Sequence, residues 1–136
     1  MKRSRQSWLA LTVLCALAGP AAAEGKKDAG TPFVHTVIFY VKADTPSTVV
    51  DDIVNDCHEM LAKIPTVRLL RAGKPAEAAG PPTKKDYAVG LMILFDDAAG
   101  FKAYADSQPH RKFVAKYLKY FDPSKMAIYD FVDAKK

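Results

Sequence analysis

Cysteine is scarce in this sequence: 136 residues hold only Cys15 and Cys57. Cys15 lies in an N-terminal stretch that reads as a removable leader, so Cys57 is the one thiol of the remainder. A lone thiol excludes an internal disulfide, and the fold must be held by its core. Metal-ligand spacing is also missing. His35, His58 and His110 stand far apart, with no helical i, i+4 pair and no C-x-x-C, which leaves no metal motif. There is no glycine-rich phosphate loop, and "GPP" at 80–82 reads as a turn. Internal repeats are absent. The longest apolar run, "WLALTVLCALAG", falls short of the about 20 residues a membrane-spanning helix needs.

That run has a context of its own. It follows "MKRSRQ", with Lys2, Arg3 and Arg5, and precedes "PAAAEG", where Ala21 and Ala23 give the Ala-x-Ala pattern. A charged start, a short apolar middle and a small-residue exit describe a secretory signal peptide over 1–23, cleaved after Ala23. The expected product is exported, periplasmic or secreted, with no stable membrane insertion after cleavage. The leader also accounts for much of the basic excess. The chain has 20 basic and 15 acidic side chains; without the three in the leader the excess falls to two. So small an excess gives no support for nucleic-acid binding.

Residues 24–32, "EGKKDAGTP", are small, charged and punctuated by Gly and Pro, as a flexible linker is. The domain is expected over 33–133, with 134–136 a charged tail. "FVHTVIFYVK" (33–42) is β-branched and aromatic and predicts a strand. In "TPSTVVDDIVNDCHEMLAKIP" (45–65), Val50, Ile53, Val54, Cys57, Leu61 and Ile64 recur at helical spacing. Thr45 is the candidate N-cap, Pro46 fits the first turn, and Asp51 and Asp52 suit the positive end of the helix dipole. "TVRLLRAGKP" (66–75) predicts a second strand at an edge, and "DYAVGLMILFD" (86–96) a third. Asp96 or Asp97 caps a short helix carrying Phe101 and Tyr104. A further helix follows, with His110, Phe113, Val114, Tyr117, Leu118 and Phe121 on one face. "KMAIYDFVD" (125–133) closes the domain as a strand.

The order β-α-β-β-α-α-β predicts an α+β, ferredoxin-like protomer with a four-stranded antiparallel sheet and helices on one face. The first and third strands are apolar on both faces. A sheet face left bare in that way would be a large exposed apolar patch, which monomers rarely keep. The expected partner is therefore a second copy, in a homodimer.

The early histidine of the first strand, the single-helix crossover and the "H-x-x-F-V" at 110–114 together resemble the stress-responsive dimeric α/β-barrel (Dabb) family. The resemblance covers roughly residues 33–133, nearly the whole mature domain, and implies pairing as a dimeric α+β barrel. Some members are plant stress proteins; another, the plant olivetolic acid cyclase, closes a polyketide by aldol chemistry. By that resemblance His110 matches the cyclase's base, Tyr104 the tyrosine that works with it, and His35 a histidine lining the same pocket. Phe101 and Phe113 are candidate ligand-binding residues beside them. Two positions depart from the pattern: Ser107 stands in place of a family histidine, and Val89 in place of another pocket histidine of the cyclase. The resemblance thus implies the pocket and leaves the substrate open.

On chemistry alone each candidate has two readings. An imidazole titrates near neutral pH and can act as base or acid, and a tyrosine hydroxyl can polarise a carbonyl. The same residues also serve as hydrogen-bonded parts of a core. Cys57 reads as a small core residue, and His58 as lying at the edge of the first helix's apolar stripe. Two function classes follow: an exported binder of a small, partly apolar molecule, or a cofactor-independent cyclase- or isomerase-like enzyme with His110 as base and Tyr104 as partner. A monooxygenase of related fold is a third possibility. No cofactor is expected.

Overall fold

The computed structural model describes residues 32–77 and 80–134. The expected leader and most of the linker lie outside the described residues. The elements are β1 (Phe33–Phe39), α1 (Ser47–Asp56) continued by a π turn (Cys57–Leu61), β2 (Val67–Gly73), β3 (Val89–Phe95), α2 (Ala98–Ala105), α3 (Gln108–Tyr117) and β4 (Ala127–Val132). All strand pairs are antiparallel, in the order β2-β3-β1-β4. This is the ferredoxin-like βαββααβ plan, with β2 at an edge as its two arginines suggest.

Side-chain alternation sets the two sheet faces. His35, Val37 and Phe39 of β1 and Val89, Leu91, Ile93 and Phe95 of β3 are buried under the helices. All of these but His35 form one core with Ile53, Cys57, Leu61, Phe113 and Tyr117. On the other face Thr36, Ile38, Met92 and Leu94 are half-buried, with none of the described helices over them. The cross-strand neighbours of Thr36 and Val34 on β4, Tyr129 and Phe131, are exposed.

Several local expectations are corrected. Thr45 does not cap α1; Pro46 occupies the N-cap position, and the Thr45 hydroxyl has no hydrogen-bond partner. Proline's fixed φ already gives the extended-to-helical entry, so the helix starts one residue later than a threonine cap would place it. Asp51 and Asp52 nevertheless lie beyond the first turn, which holds no acid. Asp51 instead pairs with Lys74 at 2.7 Å. The helix also stops being α-helical before Pro65. At Cys57 it widens to a π turn, closed by Ala62 N–H donating to the Cys57 carbonyl at 3.0 Å. Between the two capping candidates the structure selects Asp97, whose carboxylate accepts the Gly100 N–H at 2.8 Å. Asp96 pairs with Arg68. Finally, Leu118 is 61% exposed although its spacing places it on the apolar face of α3.

Candidate functional site: an apolar cavity with a polar end

α3 packs chiefly against the π turn and α2. It therefore stands off the sheet, and the space beneath it is a cavity of about 280 Å³. Its floor is Val37 and Phe39 of β1 with Leu91 of β3, and its walls include Phe101, Phe113 and Phe121. The exposed Leu118 and Ile128 (61% and 54%) also line it, which places its mouth between the end of α3 and β4. All five residues singled out from the sequence, His35, Phe101, Tyr104, His110 and Phe113, border this one space.

Three polar side chains meet there. The His110 ring centroid is 4.7 Å from that of Tyr104, and the His35 ring lies 6.1 Å from Tyr104 and 5.0 Å from Phe101. Each is positioned by a different local device. The Ser107 hydroxyl caps α3 by accepting the His110 backbone N–H at 3.3 Å, and Pro109 sits in the first turn, where its missing donor costs nothing. The His110 side chain then turns back so that Nδ1 lies 2.9 Å from the Ala105 carbonyl at the end of α2. A carbonyl only accepts, so Nδ1 carries the proton and the neutral ring keeps its lone pair on Nε2. Burial, the largest influence, holds His110 below its ordinary value of 6.5; the Ala105 bond opposes this and the nearby His35 adds to it. At neutral pH the ring is therefore an uncharged acceptor.

Tyr104 is almost wholly buried. Burial first, and the neighbouring Cys57 second, push its phenol far up, so it stays protonated and can donate. His35 is oriented by a residue that the sequence did not single out. Its Nδ1 lies 2.6 Å from Asp130 Oδ1, and the two residues are direct cross-strand partners of β1 and β4. The carboxylate fixes the Nδ1–H form and the ring plane, as carboxylates do for functional histidines. The only hint in the sequence is an acid inside the otherwise apolar "AIYDFV", and the strand register is needed to place it opposite His35.

Cys57 and His58 do not line the cavity, although Cys57 neighbours Tyr104. Cys57 is fully buried, and burial with the Asp56 charge behind it pushes its thiol up to about 12, which removes it as a nucleophile. His58 is exposed, its Nε2 3.3 Å from the Ala72 carbonyl. Among the described residues no lysine or arginine lines the cavity, so these residues offer no lysine or arginine counter-ion to a carboxylate or phosphate.

Comparison with known proteins gives the same frame. No curated protein sequence matches the chain. Among solved structures, a dimeric ferredoxin-like protein of unknown function from Thermobifida fusca is 19% identical with a TM-score of 0.64, over 76% of this chain and 92% of that one. A Dabb family protein with a ferredoxin-like fold from Mesorhizobium loti is 24% identical with a TM-score of 0.63, over 77% and 99%. The hydroxynitrile lyase from Passiflora edulis is 16% identical with a TM-score of 0.64, over 78% and 96%. At these identities the likeness is one of fold. Residues 33–133 match the family described as Stress responsive A/B Barrel Domain, and the chain belongs to that family, Dabb.

Proposed function

We propose that this Dabb domain is an exported homodimer that binds a small, uncharged, largely apolar molecule carrying one polar group. The observation that carries this reading is the cavity itself. Its walls are aliphatic and aromatic, and its hydrogen-bonding side chains gather where His35, Tyr104 and His110 meet. Such a space rewards burial of a hydrocarbon body at about 25 cal/mol per Å² and orients it through a single carbonyl or hydroxyl. Support for the dimer comes from the relatives described as dimeric and from the apolar open sheet face. Support for export comes from the charged-apolar-small order of residues 1–23; N-terminal sequencing of the protein recovered outside the cytoplasm checks it.

One observation favours a second reading, in which the bound molecule is also transformed. His110 is held neutral with Nε2 free of any protein partner among the described residues, beside a phenol that remains protonated. A base and a hydrogen-bond donor placed in this way can take a proton from a carbon next to a carbonyl while stabilising the enolate oxygen.

Mass spectrometry of whatever small molecule stays with the protein through purification tests the binding reading, together with the variants His110→Ala and Phe113→Ala. The expected result is a neutral, mainly apolar compound, retained less by Phe113→Ala. Retention of an anionic compound, or of one unaffected by Phe113→Ala in folded protein, defeats the assignment. Turnover of that compound, lost in His110→Ala while binding persists, separates the enzyme from the binder.

A further inference from the structure

The cavity mouth carries a second feature that ligand binding does not use. Arg111, Ala115 and Leu118 follow at i, i+4 and i+7 along α3 and its helical end, so they form one exposed stripe, with Lys112 and Lys119 beside it. The Lys42 ammonium joins them, 2.7 Å from the Lys119 carbonyl. Six cations elsewhere on the surface are matched, Lys63 with Glu59, Arg68 with Asp96, Lys74 with Asp51, Lys102 with Asp106, Lys116 with Asp56 and Lys125 with Asp122, while Arg71, Lys84 and Lys85 are not, among the described residues. Lys42, Arg111, Lys112 and Lys119 enter no ion pair among the described residues. Of the acids in the neighbouring segments, Asp122 is engaged with Lys125 and the backbone and side chain of Ser124, Asp130 with His35 and Asp106 with Lys102, while the exposed Asp44, two residues from Lys42, is not. Unmatched positive charge thus flanks the protruding Leu118, which with the exposed Ile128 lines the opening of an apolar cavity.

We propose that this face docks on an anionic lipid surface, with Leu118 and Ile128 entering the headgroup boundary and the cations resting on lipid phosphates. An apolar tip flanked by cations is the arrangement that interfacial binding requires, since lysine stems lie along the acyl boundary while their ammonium groups stay among the headgroups. Each lysine near such a surface strengthens binding about five-fold. The orientation sets the cavity mouth against the bilayer, so an apolar molecule can pass between lipid and protein without crossing water. Docking rests on this surface alone and stands whether or not the cavity holds a ligand.

The test uses the full chain with Trp8→Phe, which removes its single tryptophan, and Leu118→Trp as reporter. Vesicles of phosphatidylglycerol and phosphatidylcholine should shift the emission to the blue, and brominated acyl chains should quench it. Phosphatidylcholine alone should do neither, and salt at about 0.5 M should reverse the shift. Adding Lys112→Gln with Lys119→Gln should weaken partitioning about 25-fold, at unchanged far-ultraviolet circular dichroism. A control tryptophan at Lys63 should stay unquenched, since Lys63 precedes the end of the sheet where Val67 and Phe33 both pair with Phe95, away from the Val41–Phe121 bridge. If the chain sediments with vesicles while the reporter at 118 does not change, another part of the chain binds and the proposal is overturned. It also fails if neutral vesicles serve equally well, or if an acidic polypeptide and not the vesicles moves the reporter.

Discussion

At neutral pH the His110 imidazole carries its one proton on Nδ1, because the Ala105 carbonyl can only accept it. Burial keeps the second proton off until the pH falls below the ordinary 6.5. The sign of the stability effect follows. Between 6.5 and the lower native value the unfolded chain binds a proton that the folded chain refuses, so acidification through this window destabilises the fold. The loss is at most about 1.4 kcal/mol per pH unit for one group. Titration of the His110 ring by NMR should give a midpoint below 6.5, and His110→Gln should remove that part of the acid sensitivity in denaturant unfolding. A midpoint at or above 6.5 would show that the ring is solvated and contradict the cavity's role as a dry site. His110, Tyr104 and His35 could be picked out from the sequence because chemistry-bearing types are few and their spacing resembles a family. Asp130 could not, since its relation to His35 exists only across the β1–β4 register.

Among the elements, the joint between α1 and α3 decides how far α3 stands from the sheet. The Tyr117 hydroxyl and the Lys116 ammonium both donate to Asp56 Oδ2 at 2.7 Å. Partial burial pushes the Asp56 carboxyl up, but the Lys116 and Tyr117 bonds outweigh it and hold the group below its ordinary 3.8. Burial above all pushes the Tyr117 phenol up to about 12, so it remains a donor. A carboxylate whose native value is depressed stabilises the fold above its unfolded value, and that contribution is lost as pH falls through the native one. Asp56→Ala should therefore cost about 1–3 kcal/mol at pH 7, because it strands the buried Tyr117 hydroxyl and unpairs Lys116, and less at an acid pH below the native value of the carboxyl, where the ionic part is already lost. Tyr117→Phe should cost about 1 kcal/mol. Urea unfolding at both pH values checks this, and an equal cost at the two would mean that the joint is not ionic. Periodicity located both helices, yet it could not show that they are bolted at this point, nor that Leu118 would leave the core. A helix pattern reports which side chains are apolar. Which of them find a neighbour depends on where the next element sits.

For the whole molecule the open sheet face is the dominant feature. Thr36, Ile38, Met92 and Leu94 are half-buried with none of the described helices covering them, and Tyr129 and Phe131 are exposed at 61% and 54%. Covering an aromatic or large aliphatic side chain gains about 1.5–3 kcal/mol, so a two-fold sheet-to-sheet pairing gains from every one of these positions twice. Met92→Glu, which sets a charge at the centre of that face, should turn a dimer into a monomer in sedimentation equilibrium at micromolar concentration while the circular dichroism persists. A wild-type chain that sediments as a monomer, or a Met92→Glu variant that remains dimeric, removes this face as the interface.

The order of elements, the two-sided apolar strands and the few residues able to do proton chemistry were determined by the sequence alone, because they follow from local periodicity and composition, which each segment carries within itself. The tertiary structure decided the rest: that α3 rests on the π turn and so leaves a cavity, that Asp130 stands beside His35, and that Leu118 faces outward amid unmatched lysines. Those facts depend on distances between segments far apart in the chain, and such distances are set by packing and strand register, which no local pattern encodes.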